Sequence, residues 1–260
     1  MIPYLSAFDL GCKRELPFEL FFFTRRGGRS RGPLESLNMS YDVGDDPASV
    51  GENESRVLKT LNRSALYLPK QIHSARVISP DRTVASGVIR GEKADAVSTG
   101  LARVAVGVLT ADCVPVLIGS LDGGAVAAVH AGWRGLVGGV IAAAVDDFIG
   151  RGMSPGGLAA FIGPAIGPCC FEVGEDVARH FRNHFDESGD ILFENTFSKA
   201  KIDLPAAAKS KLREAGLEEE NIYFARRCTA CEKKAFFSYR QSRGRTGRQL
   251  SAIAIRPSLK

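Results

Sequence analysis

The chain has 260 residues, 45% of them hydrophobic and 24% charged, an ordinary globular composition with enough apolar material for a large core. No apolar run approaches the roughly 18–20 residues that a membrane-spanning helix needs; the best stretch, Val137 to Ile149, is short and contains Asp146 and Asp147. The net charge of +5 is uneven: Arg226 to Arg248 holds eight Lys or Arg against one Glu, a local +7 that leaves −2 for the rest. That segment reads either as a solvated basic stretch or as an anion-binding edge. No nucleic-acid-binding motif accompanies it, so no nucleic-acid partner is expected. The N-terminus, MIPYLSAFDLGCKRELP, has no basic segment followed by an apolar stretch and a cleavage site. A cytoplasmic location and no membrane partner are the expectations.

Taken in chain order, Phe18–Phe23 is an apolar strand candidate, Glu52–Leu61 reads as a helix, and Ala75–Ser79 is strand-like. Val104–Leu109 and Val114–Ile118 read as buried strands separated by Thr110-Ala111-Asp112-Cys113. The turn Asp122-Gly123-Gly124 leads into a third strand, Ala125–His130. A helix follows over Leu136–Ile149, stopped near Gly150 and Gly152. Ala159–Ile162 is a strand that ends in the rigid GPAIGPCC. Helices are expected at Glu175–Phe185 and at Leu204–Ala215, and short strands at Ile222–Ala225 and Ala252–Ile255. Strands interleaved with helices give an α/β or α+β class. Hairpin-length spacing over 104–130 adds antiparallel pairing, so a purely parallel sheet is not expected. No linker or repeat divides residues 1–260, which makes one domain the expectation. Neither a G-x-G-x-x-G after a strand nor a Walker loop is present.

Six cysteines (Cys12, Cys113, Cys169, Cys170, Cys228, Cys231) and four histidines (His73, His130, His180, His184) supply the reactive groups. Without a secretion signal the cysteines read as thiols or metal ligands rather than as a disulfide framework. If 114–118 and 125–130 form a hairpin, Cys113 and His130 fall at the same end of it. Such a pair can bind zinc or act as nucleophile and base. His73, in Gln71-Ile72-His73-Ser74, is compatible with a structural role as well as with ligation. Spacings of 40 and 17 residues match no zinc finger, whereas three ligands with an open fourth position suit a catalytic zinc. Cys228-Thr-Ala-Cys231 is a lone C-x-x-C, and Cys169-Cys170 can complete it only if the fold brings the two pairs together.

The strings FTRRGGRSRGPLESLN, QIHSARV, LTADCVPVLI, VHAGWRGL, GPAIGPCCFEVG and FFSYR occur in order between about Phe21 and Arg248, the first starting at Phe23 and the last ending at Arg240. Together they resemble the YfiH-type laccase-domain family, also called polyphenol-oxidase-like, some of whose members are purine nucleoside phosphorylases. The resemblance implies a four-layer sandwich with mixed sheets between helical layers. It implies zinc bound by His73, Cys113 and His130. It further implies phosphorolysis of adenosine, inosine, guanosine and methylthioadenosine, with adenosine deamination at the same site, so that purine nucleoside and phosphate are the partners. The H-x-E and P-C-x-x-C arrangement of other zinc deaminases is absent.

Beside the ligands, Asp112 is a candidate general acid/base or the carboxylate that orients a histidine. Arg25, Arg134 and Arg240 are candidates for gripping phosphate or ribose oxygens, against a surface role for each. Trp133 can stack on a base or fill the core. Asn38, Gln71 and Ser238, inside the matching strings, complete the substrate-binding candidates, with Asp112, Cys113 and Arg134 as the catalytic ones. Where family members commonly continue FFSYR with a second arginine, this chain has Gln241. Three other readings stand beside the phosphorylase. One is a copper polyphenol oxidase, for which four histidines are few. The others are a Cys113–His130 hydrolase editing cell-wall precursors and a non-catalytic metal-binding protein.

Overall fold

Successive side chains of a strand face opposite sides, and the FELFFF run at Phe18–Phe23 puts apolar groups on both. A computed structural model, which describes residues 2–80, 85–185, 191–194 and 199–257, shows where those two faces go. Its strands are Tyr4–Leu5 (β1), Phe18–Phe23 (β2), Ala65–Lys70 (β3), Val77–Ile78 (β4), Gly87–Lys93 (β5), Ala96–Thr99 (β6), Val104–Thr110 (β7), Val114–Ser120 (β8), Val126–Ala131 (β9), Leu158–Ile162 (β10), Glu172–Val173 (β11), Leu192–Glu194 (β12), Ala200–Ile202 (β13), Ile222–Phe224 (β14) and Gln249–Ile255 (β15). The α-helices are Pro47–Leu61 (α1), Trp133–Val137 (α2), Val140–Gly150 (α3), Glu175–His184 (α4) and Leu204–Glu214 (α5).

One six-stranded sheet has the order β1-β2-β15-β7-β3-β5 and a second the order β14-β10-β8-β9-β6-β4, while β11-β13-β12 form a small third sheet. Both large sheets are mixed: β3 runs parallel to β5 and β7, and β15 is antiparallel to β2 and β7. Phe18, Leu20 and Phe22 face the second sheet and pack with Leu117, Ala128 and Phe161. Phe21 and Phe23 point the other way, into a cluster with Val57 and Leu61 of α1. The outer face of the second sheet is covered by α2 to α5 through residues such as Leu136, Val145, Phe148, Phe181 and Leu212. The four layers are therefore α1, sheet, sheet, and the remaining helices. The alternation that usually separates core from solvent here separates two cores.

Three sequence expectations are corrected. The helix expected over Leu136–Ile149 is two helices, α2 and α3, because Gly138-Gly139 interrupts it and Gly139 takes a φ of +84°. That conformation costs a residue with a Cβ but not glycine. The Glu52 helix begins earlier, at Pro47, where Asp46 accepts from the backbone N–H groups of Ala48 and Ser49. The strands on either side of Asp112 do not pair with each other. β7 lies in the first sheet and β8 in the second, so the connection through Asp112, at φ +93°, is a crossing between layers. The hairpin expected of 114–118 and 125–130 is present as β8 and β9.

Candidate metal centre

The crossing at Asp112 delivers Cys113 to one end of the stack, just ahead of β8. The β8–β9 register pairs Pro115 with His130 and Val114 with Ala131, so the last turn of β9 returns beside Cys113. β3 ends in the neighbouring layer and its loop carries His73, at φ +60°. The ligand atoms of His73, Cys113 and His130 all lie within 4.8 Å of one another, and the two imidazoles meet edge to face with centroids 4.9 Å apart. Zinc bonds of about 2.0–2.3 Å set tetrahedral ligands roughly 3.3–3.8 Å apart. Two imidazoles and a thiolate at this spacing fit such an ion with one position left over.

The residue that assembles the trio is Asp95, which the sequence reading passed over. It is wholly buried directly ahead of β6. β6 pairs with β9 through Ala96 and Val129, which sets Asp95 opposite His130. His130 Nδ1 lies 2.8 Å from its carboxylate. The same carboxylate accepts from the backbone N–H groups of Ile72, His73 and Ser74 and from the Ser74 hydroxyl, at 2.6–3.2 Å. One carboxylate thus folds the His73 loop and orients the His130 ring so that Nε2 faces the centre. Burial alone would raise the Asp95 pKa, but these donors, led by His130, hold it far below the usual carboxylate range. The signal in the sequence is faint, a carboxylate between Ala94 and Ala96-Val97, where an unpaired charge would be prohibitive once buried.

Burial would likewise raise the Cys113 thiol, yet His130 and His73 bring it down to about 6. His130 is pushed down by burial and pulled up to about 9 by Cys113 and Asp95. Between those two values the metal-free pair is expected to be a thiolate beside an imidazolium. Gly132 closes the site from the α2 side. A Cβ there would meet Cys113 Sγ and His73 Cδ2, each at 3.1 Å, and this close approach, not the ordinary φ of −70°, is why the position is glycine.

The other sequence candidates divide. The Asp112 carboxylate is not a histidine partner: it accepts from Thr229 Oγ1 and from the Arg240 backbone N–H, both at 2.7 Å. Asn38 is buried, with its amide committed to Ser40, Asp45 and the Arg248 backbone. The Gln71 amide donates to and accepts from the Leu109 backbone. Ser238 is buried and accepts from the Gln241 N–H. The Arg25 guanidinium is held by the Glu35 and Lys233 carbonyls over the Phe237 ring. These four buttress the loops. Trp133 is half-buried, with His180 near it and the Arg134 guanidinium 4.2 Å above its ring. Arg240 donates to the Cys170 carbonyl at 3.0 Å.

Arg248 is a further cation that the sequence reading did not single out. It sits directly before β15, whose Gln249 pairs with Thr110, and so projects at the same end of the stack. Burial lowers its pKa, and the charges of Cys113, Tyr239 and Asp112 lie close enough to counter this. It also lines a cleft of about 870 Å³ with Arg29, Arg31, Asp45 and Arg245. The trio is not part of that cleft's wall; Arg248 is the side chain that faces both.

Residues 19–256 match the family described as multi-copper polyphenol oxidoreductase laccase. The chain belongs to that family. It is 36% identical to purine nucleoside phosphorylase YlmD of Geobacillus stearothermophilus, over 90% of this chain and 88% of that one. It is 35% identical to adenosine deaminase RL5 of an unknown prokaryotic organism, over 90% and 93%. Among solved structures, a Neisseria meningitidis protein superposes with a TM-score of 0.85 at 35% identity, covering 98% of this chain and 99% of that one. The family's description speaks of several coppers, yet in this member only two of the four histidines stand at the centre. His180 and His184 lie on α4, in neither cluster of metal-ligating groups among the described residues.

Proposed function

We propose that this chain, acting as a single domain in the cytoplasm, is a zinc-dependent purine nucleoside phosphorylase that also deaminates adenosine. The observation that carries the reading is the convergence of His73, Cys113 and His130, with His130 held from behind by the buried Asp95, which would give a centre with three ligands and an open position. The relatives named as phosphorylases and a deaminase support the substrate class. Zinc held by the trio would act as a Lewis acid and lower the pKa of a bound water. Asp95 keeps His130 in the tautomer that ligates through Nε2. Cys113 is a ligand thiolate in this reading and not a nucleophile. Arg134, which has no protein acceptor among the described residues, and Arg248 supply positive charge for the phosphate. Asp112 positions the Arg240 backbone and Thr229 and does not transfer the proton. A single centre with two histidines favours zinc over a multi-copper cluster, which requires more imidazole ligands.

The test is to incubate zinc-loaded protein with adenosine, with and without phosphate. Adenine plus ribose 1-phosphate is expected only with phosphate, and inosine in either case. Neither product from protein shown to hold zinc at the trio would remove the proposal. Replacing Arg248 with Ala is expected to raise the KM for phosphate roughly tenfold or more, the size of a lost charged hydrogen bond, while zinc content stays constant.

A further inference from the structure

Two loops leave the same end of the second sheet as the trio. One follows β10 and contains Gly167-Pro168-Cys169-Cys170-Phe171; the other follows β14 and contains Cys228-Thr229-Ala230-Cys231. β10 and β14 are parallel neighbours, and an isolated bridge between Ala165 and Cys228 extends their alignment into the loops. The result is that four cysteines, 58 or more positions apart between the pairs, converge with all four sulfurs within 4.8 Å of one another. Cys231 Sγ is 3.6 Å from that of Cys169 and 3.5 Å from that of Cys170.

We propose that Cys169, Cys170, Cys228 and Cys231 bind a second zinc ion as a closed tetrathiolate site that fastens these two loops together. Zinc–sulfur bonds of about 2.3 Å place tetrahedral sulfurs roughly 3.8 Å apart, close to the separations here. Disulfide partners would need about 2.05 Å, and the sulfurs do not sort into pairs: Cys231 is equally near two of them. The neighbours Cys169 and Cys170 cannot pair with each other without strain, because consecutive α-carbons about 3.8 Å apart fall short of the usual disulfide span. The Gly167 N–H donates to Cys228 Sγ at 3.3 Å, the kind of backbone support that holds a ligand sulfur in place. Four thiolates around Zn²⁺ carry a net charge of −2. The basic segment 226–248 supplies the counter-charge, with Arg240 anchored on the Cys170 carbonyl. The proposal does not depend on the activity of the first centre.

The staple has a defined target. Thr229, between the two cysteines of the second loop, and the Arg240 backbone hold the Asp112 carboxylate, and Ile166 of the first loop donates to the Asp112 carbonyl at 2.9 Å. Fixing the loops therefore fixes the crossing that presents Cys113.

Metal analysis of the full chain, purified with reductant and zinc, is expected to give two zinc ions per chain. The Cys228→Ser/Cys231→Ser and the His73→Ala/His130→Ala variants should each retain one. Should the cysteine variant not fold, alkylation of the wild-type chain reads the same site: Cys169 and Cys231, though exposed, are expected to resist iodoacetamide until a chelator strips the zinc. A single zinc that is lost in the histidine variant, with all four thiols reacting equally with and without zinc, would overturn the proposal. So would a native disulfide among the four, or iron and sulfide in place of the second zinc.

Discussion

The trio at His73, Cys113 and His130 and the four-cysteine cluster occupy the same end of the stack and are both built from loops that follow strands, yet they are held in opposite ways. The trio rests on a buried negative charge, Asp95, which organises it through five donors, three of them backbone N–H groups. Among the described residues no carboxylate joins the cysteine cluster, and backbone pairing between neighbouring strands brings its loops together. Mixed imidazole and thiolate ligands with room for a fourth group suit chemistry, whereas a complete set of four thiolates suits a staple. The comparison suggests that an open centre must be rigidified from outside its ligand set, while a closed one is rigidified by the ion itself.

The largest separation between the two sites should come from His130→Ala. Activity should fall roughly a thousandfold or more, the several kcal/mol that a Lewis-acidic metal contributes, while one zinc remains at the cysteines. Loss of both ions together would mean that the sites are not independent. Next, Asp95→Asn puts an N–H where several N–H groups already point. Zinc affinity of the trio should drop about 10- to 100-fold and the fold should lose about 1–3 kcal/mol. Competition with a chromophoric chelator and denaturant melts measure the two effects, and an unchanged affinity would refute the organising role.

The third contrast is with pH. In the metal-free trio Cys113 titrates near 6 and His130 near 9. Between these values His130, and not Cys113, must lose a proton to bind zinc, so this pair should make apparent affinity rise about tenfold per pH unit. Below about 6 Cys113 must also be deprotonated and the dependence should steepen to two protons, and above about 9 it should flatten. Calorimetry at pH 7.5 in buffers of different ionisation enthalpy should therefore report about one proton released at this site, measured in the cysteine variant. The smallest effect is expected for Gly132→Ala. Its Cβ crowds Cys113 and His73 by a few tenths of an ångström, which should weaken zinc at the trio by about 1 kcal/mol, several-fold in affinity, without unfolding the chain.

How much of this was legible in the sequence depends on the range of each interaction. Phe18–Phe23, Glu175–Phe185 and the strands around Asp122-Gly123-Gly124 are written in local patterning and turn residues, and the structure places elements there. The β8–β9 hairpin was legible for the same reason, and it brings Cys113 to His130. The Asp112 crossing was not, because two apolar strands joined by a short segment read alike whether they share a sheet or occupy two. Motif membership singles out Asn38, Gln71, Ser238 and Arg25 but does not show which groups their side chains contact. Ser238 binds locally to Gln241, whereas Asn38, Gln71 and Arg25 also reach backbone groups as remote in the chain as Arg248, Leu109 and Lys233.

By itself, the sequence determined the inventory: four histidines, six cysteines and a basic segment, together with the family that uses them. Only the tertiary structure decided the groupings. Asp95 became the centre of the first site because the β6–β9 register sets it opposite His130. The lone C-x-x-C acquired partners because parallel pairing of β10 with β14 carries Cys169 and Cys170 to it. Ligand geometry is a matter of a few ångströms between residues dozens of positions apart, and sheet register, not sequence spacing, sets distances of that kind.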